Sequence, residues 1–174
     1  MLKLVGLILI ALSGAAVGWV GSDALAKRQQ ALDEVLSAWR LLRARVAHLA
    51  LPLPEALFEA ARSVQGDVGR WLEALGQALA GAAIEGDVAD AVTQTLMHAN
   101  GRMRGLRLPD VHAVAVMFAS VSWSDAAGLP NAFVAGEETL ATLRDEARVR
   151  HAKDGKLYKT LGVLAGLSAA LLLW

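Results

Sequence analysis

An all-α fold is predicted: an antiparallel helical bundle of about six helices, flanked by N- and C-terminal transmembrane helices. Three observations predict it. Apolar residues recur at three- and four-residue spacing through most of the chain. Ala, Leu, Arg and Glu are abundant, and only Pro52, Pro54, Pro109 and Pro130 interrupt the run of helix formers. The apolar excess is concentrated at the two ends. With 55% apolar residues, 20% charged residues and a mean hydropathy of +0.42, the chain is too apolar for an ordinary soluble domain. It is also too charged for a polytopic membrane protein.

The first element is the uncharged run from Leu4 to Val20, preceded by Lys3 and edged by Trp19. Three readings fit it: a retained transmembrane helix, a cleaved signal peptide, and a buried helix. Ala24-Leu25-Ala26 has the A-x-A form of a cleavage site, but the run exceeds a usual signal core of about 7–15 residues. The retained helix, residues 1–21, is the reading adopted. The last element, residues 157–174, carries no charge after Lys159. Fourteen residues from Leu161 to Trp174 fall short of the roughly 20 a span wants. Leu157, Tyr158 and Thr160 lengthen it to about 18, with Lys159 snorkelling to the headgroups.

Both ends carry glycines four apart, Gly14 and Gly18 in the first, Gly162 and Gly166 in the second. Such spacing lets helix backbones approach closely in lipid, so these four are the expected packing residues of an antiparallel membrane hairpin. Lys27, Arg28, Tyr158 and Lys159 are the expected membrane-interface residues. Lys27 and Arg28 follow the first run, and Arg148, Arg150, Lys153, Lys156 and Lys159 precede the second. The positive-inside rule therefore places residues 22–159 in the cytoplasm and both tips outside, with the cytoplasmic bundle over 22–156.

Between the ends, residues 22–50 read as a long helix through Leu25, Leu32, Val35, Leu36, Trp39, Leu42 and Val46, with Ser22 or Asp23 as its cap. Leu51-Pro52-Leu53-Pro54-Glu55 breaks it, because the residue before a proline is biased away from the helical region. Pro54 suits the first position of the next helix, which runs to about Val64. Gln65-Gly66-Asp67 marks a turn, and a third helix covers residues 67–81. A short helix follows over 88–98, with Asp87 as N-cap. Residues 100–108 form a polar loop. Pro109 opens a helix to about 121, and Ser124 to Pro130 is another loop. A long helix then begins near Asn131 and continues into the C-terminal span, with Gly155 as its weakest point. The middle, about 135 residues, is long enough for its own core.

Chemistry is hard to place. Zero net charge predicts no nucleic-acid partner, and the absence of cysteine excludes disulfides and thiolate catalysis. His48, His98, His112 and His151 are scattered, without the pairing of a metal site. No phosphate loop and no G-x-S-x-G occurs, and Asp87 and Asp90 suit capping better than acid–base work. No enzyme, cofactor, metal or small-molecule substrate is expected. Arg102, Arg104 and Arg107 can bind phosphate or an acidic partner, although three loop arginines are more often simply solvated. With Asp125 they are the candidate partner contacts.

Several segments together resemble one family. Met1-Leu2-Lys3-Leu4-Val5-Gly6-Leu7-Ile8-Leu9-Ile10 is similar to its opening. Leu41-Leu42 to Val46 followed by Pro52-Leu53-Pro54-Glu55-Ala56-Leu57 resembles its helix and PLPEAL break. Val64-Gln65-Gly66 and Ser124-Asp125 match its turns. Lys156-Leu157-Tyr158-Lys159-Thr160-Leu161-Gly162-Val163-Leu164-Ala165-Gly166-Leu167 is the most specific match. The chain resembles the stage III sporulation protein AB family of endospore-forming bacteria over nearly its whole length. The resemblance implies a non-catalytic platform in a channel or secretion-like complex of the mother-cell membrane around the forespore. It also implies a soluble domain similar to the cytoplasmic helical domains of type II secretion system protein F. The implied partners are the lipid bilayer, other membrane subunits and a cytoplasmic ATPase, stage III sporulation protein AA. The rival reading is an exported envelope interaction module with a cleaved signal peptide and a C-terminal anchor.

Overall fold

The computed structural model contains six helices: α1 Leu2–Leu49, α2 Leu53–Ser63, α3 Asp67–Gly81, α4 Val88–His98, α5 Leu108–Trp123 and α6 Leu129–Leu172. The structure describes the backbone of residues 2–49, 51–64, 66–81, 88–98, 105–125 and 127–172. The side chains of 2–12, 14–15, 47–49, 98, 159, 167, 170 and 172 lie outside that description. Among the described residues there is no strand. The chain divides into two compact units, a helix pair (1–29 with 145–174) and a bundle (30–144). The long helices α1 and α6 each contribute to both units.

Local sequence explains the helix ends. Pro52 stands just before α2, Pro54 sits in its first turn, and Glu55 there favours the helix dipole. The α2–α3 turn passes through Gly66 at φ +86°, a left-handed backbone that glycine adopts without cost. In α5, Leu108 and Pro109 lead the helix, and Asp110 accepts the Arg107 N–H at 2.9 Å. That bond satisfies a donor the helix start leaves open, and it holds a carboxylate that is fully buried. Asp125 does similar work before α6: its Oδ1 accepts the Gly128 N–H at 2.7 Å and its carbonyl accepts the Leu129 N–H at 2.9 Å.

Three local expectations change. The polypeptide from 2 to 49 is one helix, so neither Ser22 nor Asp23 caps a new one. Ser22 is buried instead. The last helix begins at Leu129, and it is unbroken at Gly155. A side chain at Gly155 would stand 3.2 Å from both His151 and Ser22 Oγ, so the glycine is there for close packing rather than for bending. The expected cap at Asp87 and the polar loop over 100–104 lie outside the described residues.

The bundle is organised around Trp39 of α1. Its ring centroid is 5.1 Å from Phe118 of α5, edge-on at 78°, and 5.1 Å from Phe133 of α6. Trp71 of α3 meets Phe118 edge-on at 5.8 Å. Edge-to-face contacts align the positive ring edge with the negative face, adding about 0.5–1.5 kcal/mol per pair beyond burial. Both buried indole N–H groups are satisfied: Trp39 donates to the Phe133 carbonyl at 2.9 Å and Trp71 to Thr95 Oγ1 at 3.2 Å. Gly136 makes room for Trp39, since a Cβ there would lie 2.5 Å from the indole ring. Leu32, Leu42, Leu57, Leu72, Leu75 and Leu140 complete the core.

Among the described residues no helix is long and apolar enough to cross a membrane. The two segments expected to span, 1–21 and 157–174, fall in part on residues whose side chains lie outside the description.

Candidate functional site

The helix pair is antiparallel, and its seam is built from small residues. A Cβ on Gly18 would lie 2.5 Å from the Tyr158 carbonyl oxygen and 3.2 Å from the Gly162 Cα. Those are backbone atoms, which cannot turn aside, so glycine sets how closely the helices approach. Next along α1, Gly21 lies under the Tyr158 ring, whose Cδ1 would stand 3.2 Å from an added Cβ. Ser22 then meets Gly155, and Gln29 meets His151, with Oε1 and Nδ1 3.3 Å apart. Residue numbers rise on one helix as they fall on the other, which establishes the antiparallel register.

This seam buries little. Gly18, Ser22, Leu25 and Arg28 are inside on α1, and Ala147, Gly155 and Gly166 on α6. Most described apolar side chains at the far end point away from it. Trp19 is 69% exposed and Leu171 78%, and Val17, Val20, Leu157, Leu161, Val163 and Leu164 are exposed as well. Among the described residues these side chains are not hidden between the two helices, and exposed apolar surface of this kind marks a contact site.

The predicted residues are distributed unevenly. Gly18 and Gly162 are brought into contact, and Gly166 is buried, while Gly14 lies outside the described residues. Tyr158 packs on the seam with one side open. Lys27 is exposed and paired to Asp23 one turn away. Arg28, expected at a membrane surface, is only 6% exposed. Lys159 lies outside the described side chains, as do Arg102 and Arg104. Arg107 is exposed at the start of α5, and Asp125 is occupied by its turn before α6, so the structure does not gather them into one site.

The bundle offers two surface features. One end carries a groove of about 380 Å³ to which every helix contributes: Val46, Leu53, Leu79, Val88, Trp123 and Leu129 line it. Trp123 is 76% exposed there and ends a stripe on α5 with Leu108, His112 and Val116. A pass along the sequence stops that helix near 121 and so misses the tryptophan, although helical spacing from Val116 reaches it. A second groove, about 390 Å³, lies between α2 and α3 beside Arg62, Arg70 and Glu73.

An ion cluster was also hidden by sequence distance. Arg40 Nε donates to Glu137 Oε1 at 2.7 Å and Arg43 Nη1 to Oε2 at 3.0 Å. The Arg40 hydrogen bond holds the Glu137 carboxyl below its ordinary value; burial opposes this and Arg43 reinforces it. Arg45 pairs with Glu59 at 2.8 Å. Among the described residues no three His, Cys, Asp or Glu side chains converge as metal ligands. His112 is exposed, His151 faces Gln29, and the side chains of His48 and His98 lie outside the description.

These features define a class: an all-helical protein whose first and last helices supply both a packed aromatic bundle and a small-residue helix pair with uncovered apolar faces. The family comparison is more specific. The family model for stage III sporulation protein AB matches residues 3–174, and the chain belongs to that family. Comparison with curated proteins and with solved structures returned no match.

Proposed function

We propose that this protein is a non-catalytic, membrane-anchored platform subunit of a sporulation channel or secretion-like complex, linking a cytoplasmic ATPase to the membrane. The observation that carries the reading is the sharing of α1 and α6 between a packed bundle and a helix pair with exposed apolar faces. Family membership supplies the sporulation context. In this reading residues 1–21 and 157–174 are membrane helices, and the uncharged run from Leu4 to Val20 supports the first. Residues 22–156 form the cytoplasmic bundle, comparable to a domain of type II secretion system protein F. Cations near both runs support that orientation. The implied partners are stage III sporulation protein AA and other membrane subunits, and the location is the mother-cell membrane around the forespore.

The chain has no cysteine, so a single one reports topology cleanly. Asp90 is exposed on α4. Asp90→Cys in intact cells is expected to resist a membrane-impermeant maleimide until lysis. Cross-linking from residues 51–130 is expected to capture the ATPase. Labelling of intact cells, with loss of an N-terminal tag, would replace this reading with the exported module.

A further inference from the structure

We infer that the side of α6 facing away from α1, from Arg150 to Lys156, binds the headgroups of anionic phospholipids. This rests on the membrane-anchored reading and adds the lipid class and the residues that select it.

The inward side of α6 is fixed by its contacts. Ala147 and Gly155 are buried, His151 meets Gln29, and Tyr158 and Gly162 meet Gly21 and Gly18. With 3.6 residues per turn, Lys153 and Lys156 fall on the opposite side and Arg150 on its flank. All three are exposed, as is Arg148. Among the described residues none of these four forms an ion pair. In the bundle, by contrast, Arg40, Arg43, Arg45, Arg70 and Arg144 each face a carboxylate, and only the scattered Arg62 and Arg107 share the open state among its described arginines. Among the described side chains of α1 in this unit, Lys27 is held by Asp23 and Arg28 is buried.

Charge composition points the same way. From Arg148 to Lys159 the sequence holds five cations and one anion, Asp154. A helix face that only needs solvation usually alternates signs, as exposed helices laced with salt bridges do. Beyond Lys159 the sequence carries no charge, and Leu161, Val163 and Leu164 are exposed. The helix is therefore divided along its length rather than around its circumference. That order suits a helix passing from water into a bilayer. Arg150 and Lys156 are about 9 Å apart along the axis, so all three cations fit within roughly one Debye length of a headgroup plane at the apolar boundary. Ammonium and guanidinium groups without an internal partner are free to donate to phosphate oxygens.

The test uses the full-length chain, synthesised without cells in a mixture of two vesicle populations. One is pure phosphatidylcholine; the other is phosphatidylcholine with phosphatidylglycerol in a two-to-one ratio. Flotation then measures how the chain divides between them. The expected result is a preference for the anionic vesicles that shrinks in high salt. Replacing Arg150, Lys153 and Lys156 by Gln should reduce the preference by about fivefold per cation removed. Lys153→Arg with Lys156→Arg should keep it, and Arg62→Gln in the bundle should not alter it. Helicity by circular dichroism checks that each variant folds. Equal division of the unmodified chain, or an unchanged preference in the triple variant, overturns the headgroup assignment. Failure of either vesicle to capture the chain would instead overturn the membrane reading beneath it.

Discussion

Within residues 30–144 the interior is made of large side chains: Trp39, Trp71, Phe118 and Phe133 touch in sequence, and leucines from five helices close around them. Within the helix pair the interior is made of almost nothing, since Gly18, Gly21, Ser22, Gly155 and Gly162 bring two backbones together. The bundle gains stability by removing apolar area from water, at about 25 cal/mol per Å². Among the described residues the pair does so little, because apart from Leu25 its larger apolar side chains face outward. Close backbone approach contributes through dispersion and suits an apolar solvent, where hydrophobic burial between helices drives nothing. One chain thus carries two modes of packing, large side chains in the bundle and close backbone approach in the pair.

The strongest way to break the contrast is to empty the bundle. Trp39→Ala removes two aromatic contacts and the bond to the Phe133 carbonyl. It should cost about 3–5 kcal/mol, read as a lowered midpoint in urea unfolding. A smaller change tests the same interior from the other direction. Gly136→Ala puts a methyl group against Trp39 and should cost about 1–3 kcal/mol through overpacking.

The seam of the pair is tested by shape rather than by volume lost. Ser22→Cys with Gly155→Cys places two thiols at a close approach and is expected to form a disulfide on mild oxidation. Adding Gly18→Leu should abolish that cross-link. It should also leave the bundle's stability in urea within about 0.5 kcal/mol, because all three changes lie in the helix pair and none in the bundle. A loss of the bundle with Gly18→Leu would show that the two modes of packing are not separable.

Charge gives the smallest effect. Glu137 has a depressed folded pKa, so its contribution is fully present above the ordinary value of 4.5 and is lost as pH falls through the folded value. Glu137→Gln should lower stability at neutral pH by about 1 kcal/mol and flatten the acid limb of the pH–stability curve.

Much of this was legible in the sequence, and the reasons differ by region. The helices over 67–81 and 88–98 follow from apolar spacing and from Gly66 in the turn. Local signals suffice there because each helix is short and bounded by breakers. The two long helices were harder to delimit. Ser22-Asp23 has the chemistry of a cap, yet α1 runs through it unbroken, and packing against Gly155 occupies the serine. The glycine spacing pointed to Gly18 and Gly162 but not to Tyr158 lying over Gly21, which depends on register between distant segments. Likewise, no local pattern couples Arg40 and Arg43 to Glu137, and nothing short of the folded chain reveals that Arg28 is buried while Lys153 and Lys156 are not.

The pairing of α1 with α6 also has a consequence in time. Trp39 and the Phe133 carbonyl are 94 residues apart, and Gln29 and His151 are 122 apart. Contacts so distant close last, because the entropy of joining a long loop is lost before any contact compensates it. During translation at roughly 5–20 residues per second, α1 emerges about 5–20 s before its partner helix exists. Its part of the seam, Gly18, Gly21 and Ser22, is therefore made well before the α6 residues that pack on it, and the last helix docks onto a glycine track already in place.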